Sequence, residues 1–294
     1  MNAPAETGPG GPAPVRHHWR PRRPGGGVSV TVEDAGWRYL DFSVHELQEG
    51  EKLEIAHPGR EVAVVPLGGE VQAEAGGKSF KLARTDVFSD PPYVLYVPPA
   101  EVLQVSAGAQ ASFAVGGAPA EGRYPVRLIE PQEMRTEMRG GGPAVRQIGH
   151  VLAAPLPAER LILYEVISPL GGWCGWPPHC HDGFDGSPYL EETYYFRFDR
   201  PDAFALQRNY RTDEDFDELF VAEDGDLVLV TKGYHTTTAS PGGNLYFLNY
   251  LAGELTNEER SRPPCFDARF TWITKDWDGA RLSLPTPAVA PMRE

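Results

Sequence analysis

Residues 61–82 read EVAVVPLGGEVQAEAGGKSFKL, and their texture decides the fold class. Apolar and polar side chains alternate in short runs, and two Gly-Gly pairs interrupt them. A period of two is the mark of a half-buried strand. Gly-Gly supplies the positive φ that tight hairpins need. The stretch is therefore expected to run strand, turn, strand, turn, strand. Residues 91–118, PPYVLYVPPAEVLQVSAGAQASFAVGGA, continue the pattern and predict two or three more strands. Upstream, residues 28–55 alternate and then turn at QEGE.

A second series starts near Arg160, with ERLILYEVISPLGG, LEETYYFRF, AFALQRNY, LFVAEDGDLVLVTKGYHTTTAS and NLYFLNYLAGE. It repeats the first as architecture, with little residue identity. An all-β chain built as a duplicated small barrel is expected. The charged, glycine-containing link RLIEPQEMRTEMRGGGPAVRQIGHVL lies between the series. The expected division is a Pro/Gly-rich disordered tail at 1–27, a first barrel at 28–140 and a second at 141–294. No helix is strongly signalled, and RTDEDFDELFVAEDG is expected to hold at most one short turn.

The totals narrow the function. The net charge of −14 argues against a nucleic-acid surface, which needs a basic face. The one basic cluster, RHHWRPRR in the tail, is read as a solvated or loosely docked arm, with His17 and His18 as weak ligand candidates. Three cysteines make a poor disulfide framework. With no membrane-length apolar run and no apolar leader, the expected location is the cytoplasm.

The chemistry concentrates in PPHCHDGFDGSPYLEETYYF, residues 177–196. On a strand, residues i and i+2 share a face, so His179 and His181 project together and Cys180 points away. Along EETYYF, Glu192 shares a face with Tyr194 and Phe196, whereas Glu191 lies with Thr193 and Tyr195. Glu192 is the expected ligand, and Glu191 is the alternative if the register slips. His235, after Gly233 in TKGYHTT, supplies a third imidazole. Three imidazoles and a carboxylate leave open positions on a metal, which is the catalytic rather than the closed structural pattern. His-x-His alone also suits two ordinary half-buried strand residues. The first half has His45 and His57 but no such pair, so metal chemistry is expected in the second half only.

These stretches, with EDAGWRYLDFSVHEL, DVFSDPPYVLYVPP, VRLIEP and MRGGG in the first half and link, resemble the bacterial 5-deoxy-glucuronate isomerase family of inositol catabolism. The resemblance spans roughly residues 28–275 and rests on no single motif. It implies a two-cupin fold and a divalent metal on His179, His181, Glu192 and His235. It further implies an aldose–ketose isomerisation of 5-deoxy-glucuronate to 5-dehydro-2-deoxy-gluconate. The chain departs from the family pattern at Gly172, Cys174, Gly175, Trp176, Cys180, Lys232 and Thr236.

Isomerisation needs a base that moves a proton between C2 and C1. Glu191, Lys232, Tyr210 and Tyr246 are the candidates. Gln207, Arg208 and Arg197 are the candidate contacts to the sugar acid, an arginine fork suiting its carboxylate. Cys180 is read as packing. Zinc or manganese suits the ligand set, and so does iron, which leaves a metal-dependent dioxygenase as one alternative. A non-catalytic sugar-acid-binding barrel is the other. A homo-oligomer is expected because sheet edges of such barrels often pair.

Overall fold

The computed structural model describes residues 15–21 and 26–277. The remainder of the expected tail, residues 1–14 and 22–25, lies outside the described residues. So do residues 278–294 of the expected second barrel. The regular structure of the described part is mostly strand.

The opening stretch folds differently from its reading at one point. Arg60–Ala75 is a single strand of 16 residues that runs through Gly68-Gly69. The register shifts there, between Pro66 and Gly68, so the first glycine pair makes a bend rather than a hairpin. A Cβ at Gly69, whose φ is +81°, would lie 2.5 Å from the Gln110 carbonyl oxygen. The second pair does form a hairpin, with Ala75 opposite Lys78 and both glycines at positive φ. The bent strand serves two sheets. Its first part pairs with Val94–Val97 and Ala111–Pro119. Its second pairs with Lys78–Arg84 and Leu103–Ala107.

In the second half, a seven-stranded sheet faces one of five strands. The large sheet runs His18–Trp19, Leu227–Val230, Leu190–Phe198, Leu245–Gly253, Ile162–Ser168, Arg146–His150, Arg135–Arg139. The small one runs Asp217–Ala222, Ala205–Tyr210, Tyr234–Ala239, Trp173–Cys180, Cys265–Phe266. The expected division at 140/141 thus falls in the turn joining two paired strands, Arg135–Arg139 and Arg146–His150. Asp217–Ala222 occupies the segment expected to hold a short turn. The described helix is Val32–Ala35, closed by a Thr31/Asp34 capping box and left-handed Gly36.

Part of the expected tail is ordered: His18–Trp19 pairs with Leu227 and Val228. His18 Nε2 lies 2.7 Å from Asp226 and His17 Nδ1 2.8 Å from Glu218. These two histidines anchor the arm and are not among the three clustered imidazoles.

Alternation explains the long apolar runs. Val62 and Val64 fill the first barrel, while Ala63 and Val65 enter a core between the halves. Tyr194, Phe196, Leu245 and Phe247 fill the second barrel, while Tyr195, Tyr246, Leu248 and Tyr250 enter that same central core. A sheet buried on both faces has no solvent side to mark with polar residues. Gly116 is needed at this junction, because a Cβ there would meet the Tyr250 ring at 2.4 Å.

Two buried glutamates clamp the halves reciprocally. Glu61 of the first accepts the backbone N–H of Glu159, Arg160 and Leu161 at 2.6–2.8 Å, and the Tyr96 hydroxyl. Glu191 of the second accepts those of Arg38, Tyr39 and Leu40, each at 2.8 Å, and the Tyr189 hydroxyl. Each carboxylate thus satisfies three successive N–H groups where the other half's chain enters. No helix among the described residues is long and apolar enough to cross a membrane.

Candidate metal centre

His179 stands directly opposite His235 across the strands Trp173–Cys180 and Tyr234–Ala239. Gly233, at φ +79°, permits the entry to the second strand, because a Cβ there would lie 2.3 Å from the Tyr210 carbonyl oxygen. The glycine-rich spacer 182–189 folds back through the short turn Phe184–Gly186. It returns the chain so that Leu190 donates its N–H to the His181 carbonyl at 2.6 Å. His181 is thereby laid beside Leu190–Phe198, and its Nε2 lies 2.8 Å from Glu192 Oε2. Its Nδ1 lies 3.0 Å from the Leu190 carbonyl oxygen. Donation to that carbonyl selects the tautomer and turns Nε2 inward.

The three imidazoles each offer a nitrogen within 4.8 Å of the others, and among the described residues no other cluster does so. Glu192 Oε2 reaches His235 Nε2 at 3.1 Å. Neither ring nitrogen of His235 makes a hydrogen bond, although the residue is fully buried. Buried imidazole nitrogens without partners, converging with a carboxylate, match the needs of a divalent cation. Burial pushes the Glu192 carboxyl up, but its hydrogen bond with His181 and the close approach of the His235 ring outweigh it and hold it at about 2. Burial, then the neighbouring imidazoles, lowers His179 well below the ordinary histidine value. Burial also works against protonation of His181, but its bond to Glu192 prevails and raises it. The donor set is therefore one anion and imidazoles that favour different protonation states.

His179, His181 and Glu192 lie on the wall of a cavity of about 570 Å³ inside the second barrel. The same wall carries Arg135, Arg139, Arg146 and His150. All four belong to the segment read as a charged link. Its Arg-x-Glu-x-Arg alternation was the available signal, since it puts Arg135 and Arg139 on one strand face.

The other sequence candidates are elsewhere. Glu191 is engaged by the backbone of the first half, as described. Lys232 pairs with Glu214 at 3.0 Å, beside the Phe216 ring. Tyr210 donates to Asp267 at 2.7 Å. Tyr246 donates to Glu165 at 2.6 Å, in a buried cluster with Arg84 between the halves. Arg197 pairs with Asp224 and Arg208 with Asp217. Gln207 is buried and donates to Asn209, with its carbonyl oxygen unpartnered. None of these seven lines the cavity.

Cys180 packs with Tyr210 and Tyr234, and burial pushes its thiol up to about 12. Two departures from the family pattern touch each other: the Thr236 hydroxyl donates to the Cys174 carbonyl at 2.8 Å.

A family model described as the KduI/IolB family matches residues 17–273. The 5-deoxy-glucuronate isomerase of Geobacillus thermodenitrificans is 41% identical over 238 residues, 79% of this chain and 87% of the relative. That of Geobacillus kaustophilus is 39% identical over 253 residues, 84% of this chain and 91% of the relative. The crystal structure of an IolB-like protein from Salmonella typhimurium superposes with a TM-score of 0.80 at 35% identity, covering 84% of this chain and 94% of that one. Oxalate decarboxylase of Bacillus subtilis, which has Mn(II) centres, shares the fold alone, at a TM-score of 0.56 and 14% identity over 77% of this chain and 72% of its own. Matched over nearly all of its described length, with relatives above 30% identity along most of their own, the chain belongs to the KduI/IolB family.

Proposed function

We propose that this protein is an aldose–ketose isomerase that converts 5-deoxy-glucuronate to 5-dehydro-2-deoxy-gluconate in inositol catabolism, in the cytoplasm. The observation that carries the reading is the convergence of His179, His181, Glu192 and His235 beside a cavity that is also lined by arginines. The relatives named for this reaction support it.

The four side chains would hold one divalent cation, zinc, manganese or iron by donor type. Bound there, such a cation would supply an electrophile that stabilises negative charge developing on the substrate's carbonyl oxygen. The Leu190 carbonyl keeps the His181 ring oriented for that ligation. Phe247 and Leu251 line the cavity and keep its floor apolar. A proton must leave C2 and return at C1. Outside the ligand set, His150 is the cavity group suited to carry it. Its Nε2 lies 2.7 Å from Arg135 Nη2 and 3.0 Å from Glu137 Oε1. Burial lowers its pKa, and the Glu137 hydrogen bond offsets this only in part, so the ring is neutral at neutral pH. Association into a homo-oligomer through paired sheet edges belongs to the same proposal.

The test is turnover of 5-deoxy-glucuronate followed by proton NMR, with metal-loaded and chelated protein. Appearance of the 2-deoxy ketone, dependent on metal and independent of oxygen, is expected. Absence of turnover in metal-loaded protein would overturn the reading, and oxygen consumption would replace it with a dioxygenase.

A further inference from the structure

Three arginines are buried among the described residues: Arg84, Arg146 and Arg260. Arg84 is held by both oxygens of Glu165, at 2.6 and 3.0 Å, and by backbone carbonyls. Arg260 donates to the carbonyls of Leu161, Asn257 and Leu156. Arg146 differs. It is 6% exposed and lines the metal-site cavity. Its one hydrogen bond runs from Nη1 to the Ala144 carbonyl at 3.0 Å. Among the described residues no carboxylate comes within ion-pair reach of it. A buried guanidinium without a counter-charge is costly.

The neighbouring cations are already served. Glu137 takes both Arg135 and Arg139, and Glu259 takes Arg262. The loop is also shaped around Arg146: a Cβ at Gly140, whose φ is +82°, would lie 2.7 Å from Nη1 and 2.1 Å from the Ala144 oxygen. Burial lowers the guanidinium's pKa, and the more distant Cys174 and Glu137 offset this only in part. In a chain of net charge −14, this is a positive charge left for something that enters the cavity.

We infer that Arg146 reads the carboxylate of the substrate: its open fork takes the acid group of a sugar acid whose carbonyl end lies at His179, His181, Glu192 and His235. The inference rests on the proposed isomerase reading for the placement of the two ends. A neutral aldose would leave the guanidinium unpaired, so Arg146 selects uronates over aldoses.

The experiment uses metal-loaded wild type, Arg146→Gln and Arg146→Lys. Binding of D-gluconate and of its neutral counterpart D-glucitol is measured by calorimetry, and KM and kcat for 5-deoxy-glucuronate are measured alongside. Arg146→Gln is expected to weaken gluconate about 100-fold and to raise KM similarly, with glucitol binding and metal content unchanged. Arg146→Lys keeps the charge without the fork and should fall between. It carries the test if the glutamine variant does not fold. Unchanged gluconate affinity and KM in a folded, metal-loaded variant would overturn the inference and leave the isomerase standing. Wild type that binds gluconate no better than glucitol would overturn it too. Wild type that prefers gluconate through Arg146 yet lacks turnover would sink the isomerase reading and keep Arg146 as an anion site.

Discussion

His179 and His235 face each other as direct cross-strand partners, their rings 4.3 Å apart, and both are closed in on the far side by Glu192 and His181. Because these positions come from three different backbone segments, the cluster exists only in the folded barrel. A cation that binds it stabilises the fold by mass action. We expect added zinc or manganese to raise the Tm of chelated wild type and not that of His235→Ala. Equal shifts in both would show that the ions act elsewhere.

Glu61 and Glu191 hold the two halves together by one device used twice. Each Glu→Gln change replaces a charged acceptor with an amide whose NH₂ group faces backbone donors. A loss of about 2 kcal/mol is expected for either, read by denaturant unfolding. Metal content should not change. Loss of metal in Glu191→Gln with normal stability would instead favour Glu191 as a ligand.

Lys232, Tyr210 and Tyr246 are spent on structural contacts. Lys232→Met and Tyr210→Phe are expected to leave kcat unchanged. Tyr246→Phe removes a hydrogen bond from the buried Arg84–Glu165 pair, so it should cost stability, about 1–2 kcal/mol, rather than turnover. A large drop in kcat for any of the three at unchanged stability would return it to the list of bases.

His150 is surrounded by Glu137, Arg135 and Arg139 on the adjacent strand side and by Tyr164 opposite. Its folded pKa lies below the ordinary value of 6.5, so the neutral base persists to lower pH than in a free histidine. The acid limb of kcat should therefore lie below 6.5 and follow His150, with metal content checked at each pH. His150→Asn is expected to lower kcat about 100-fold or more while keeping the metal. An unchanged kcat would assign the proton transfer to another group.

Much of the architecture was legible because alternation and glycine pairs report strands directly. Gly68-Gly69 misled because the same residue pair serves a hairpin or a bend, and only its neighbour, the Gln110 carbonyl, decides. The convergence of His179, His181, Glu192 and His235 was legible because side chains on strands obey the period of two. Arg146 was not. Glu137 and Glu259 pair with the other cavity arginines at short spacing, but that no carboxylate among the described residues reaches Arg146 depends on the fold. Glu191 likewise stands one residue from Glu192, but its partners, residues 38–40, are about 150 positions away.

The most direct test is metal content. Tag-free protein should carry about one divalent metal per chain by mass spectrometry, and His179→Ala and Glu192→Gln should lose it while remaining folded. Wild type that holds no metal after exposure to zinc, manganese and iron would contradict the account at its centre.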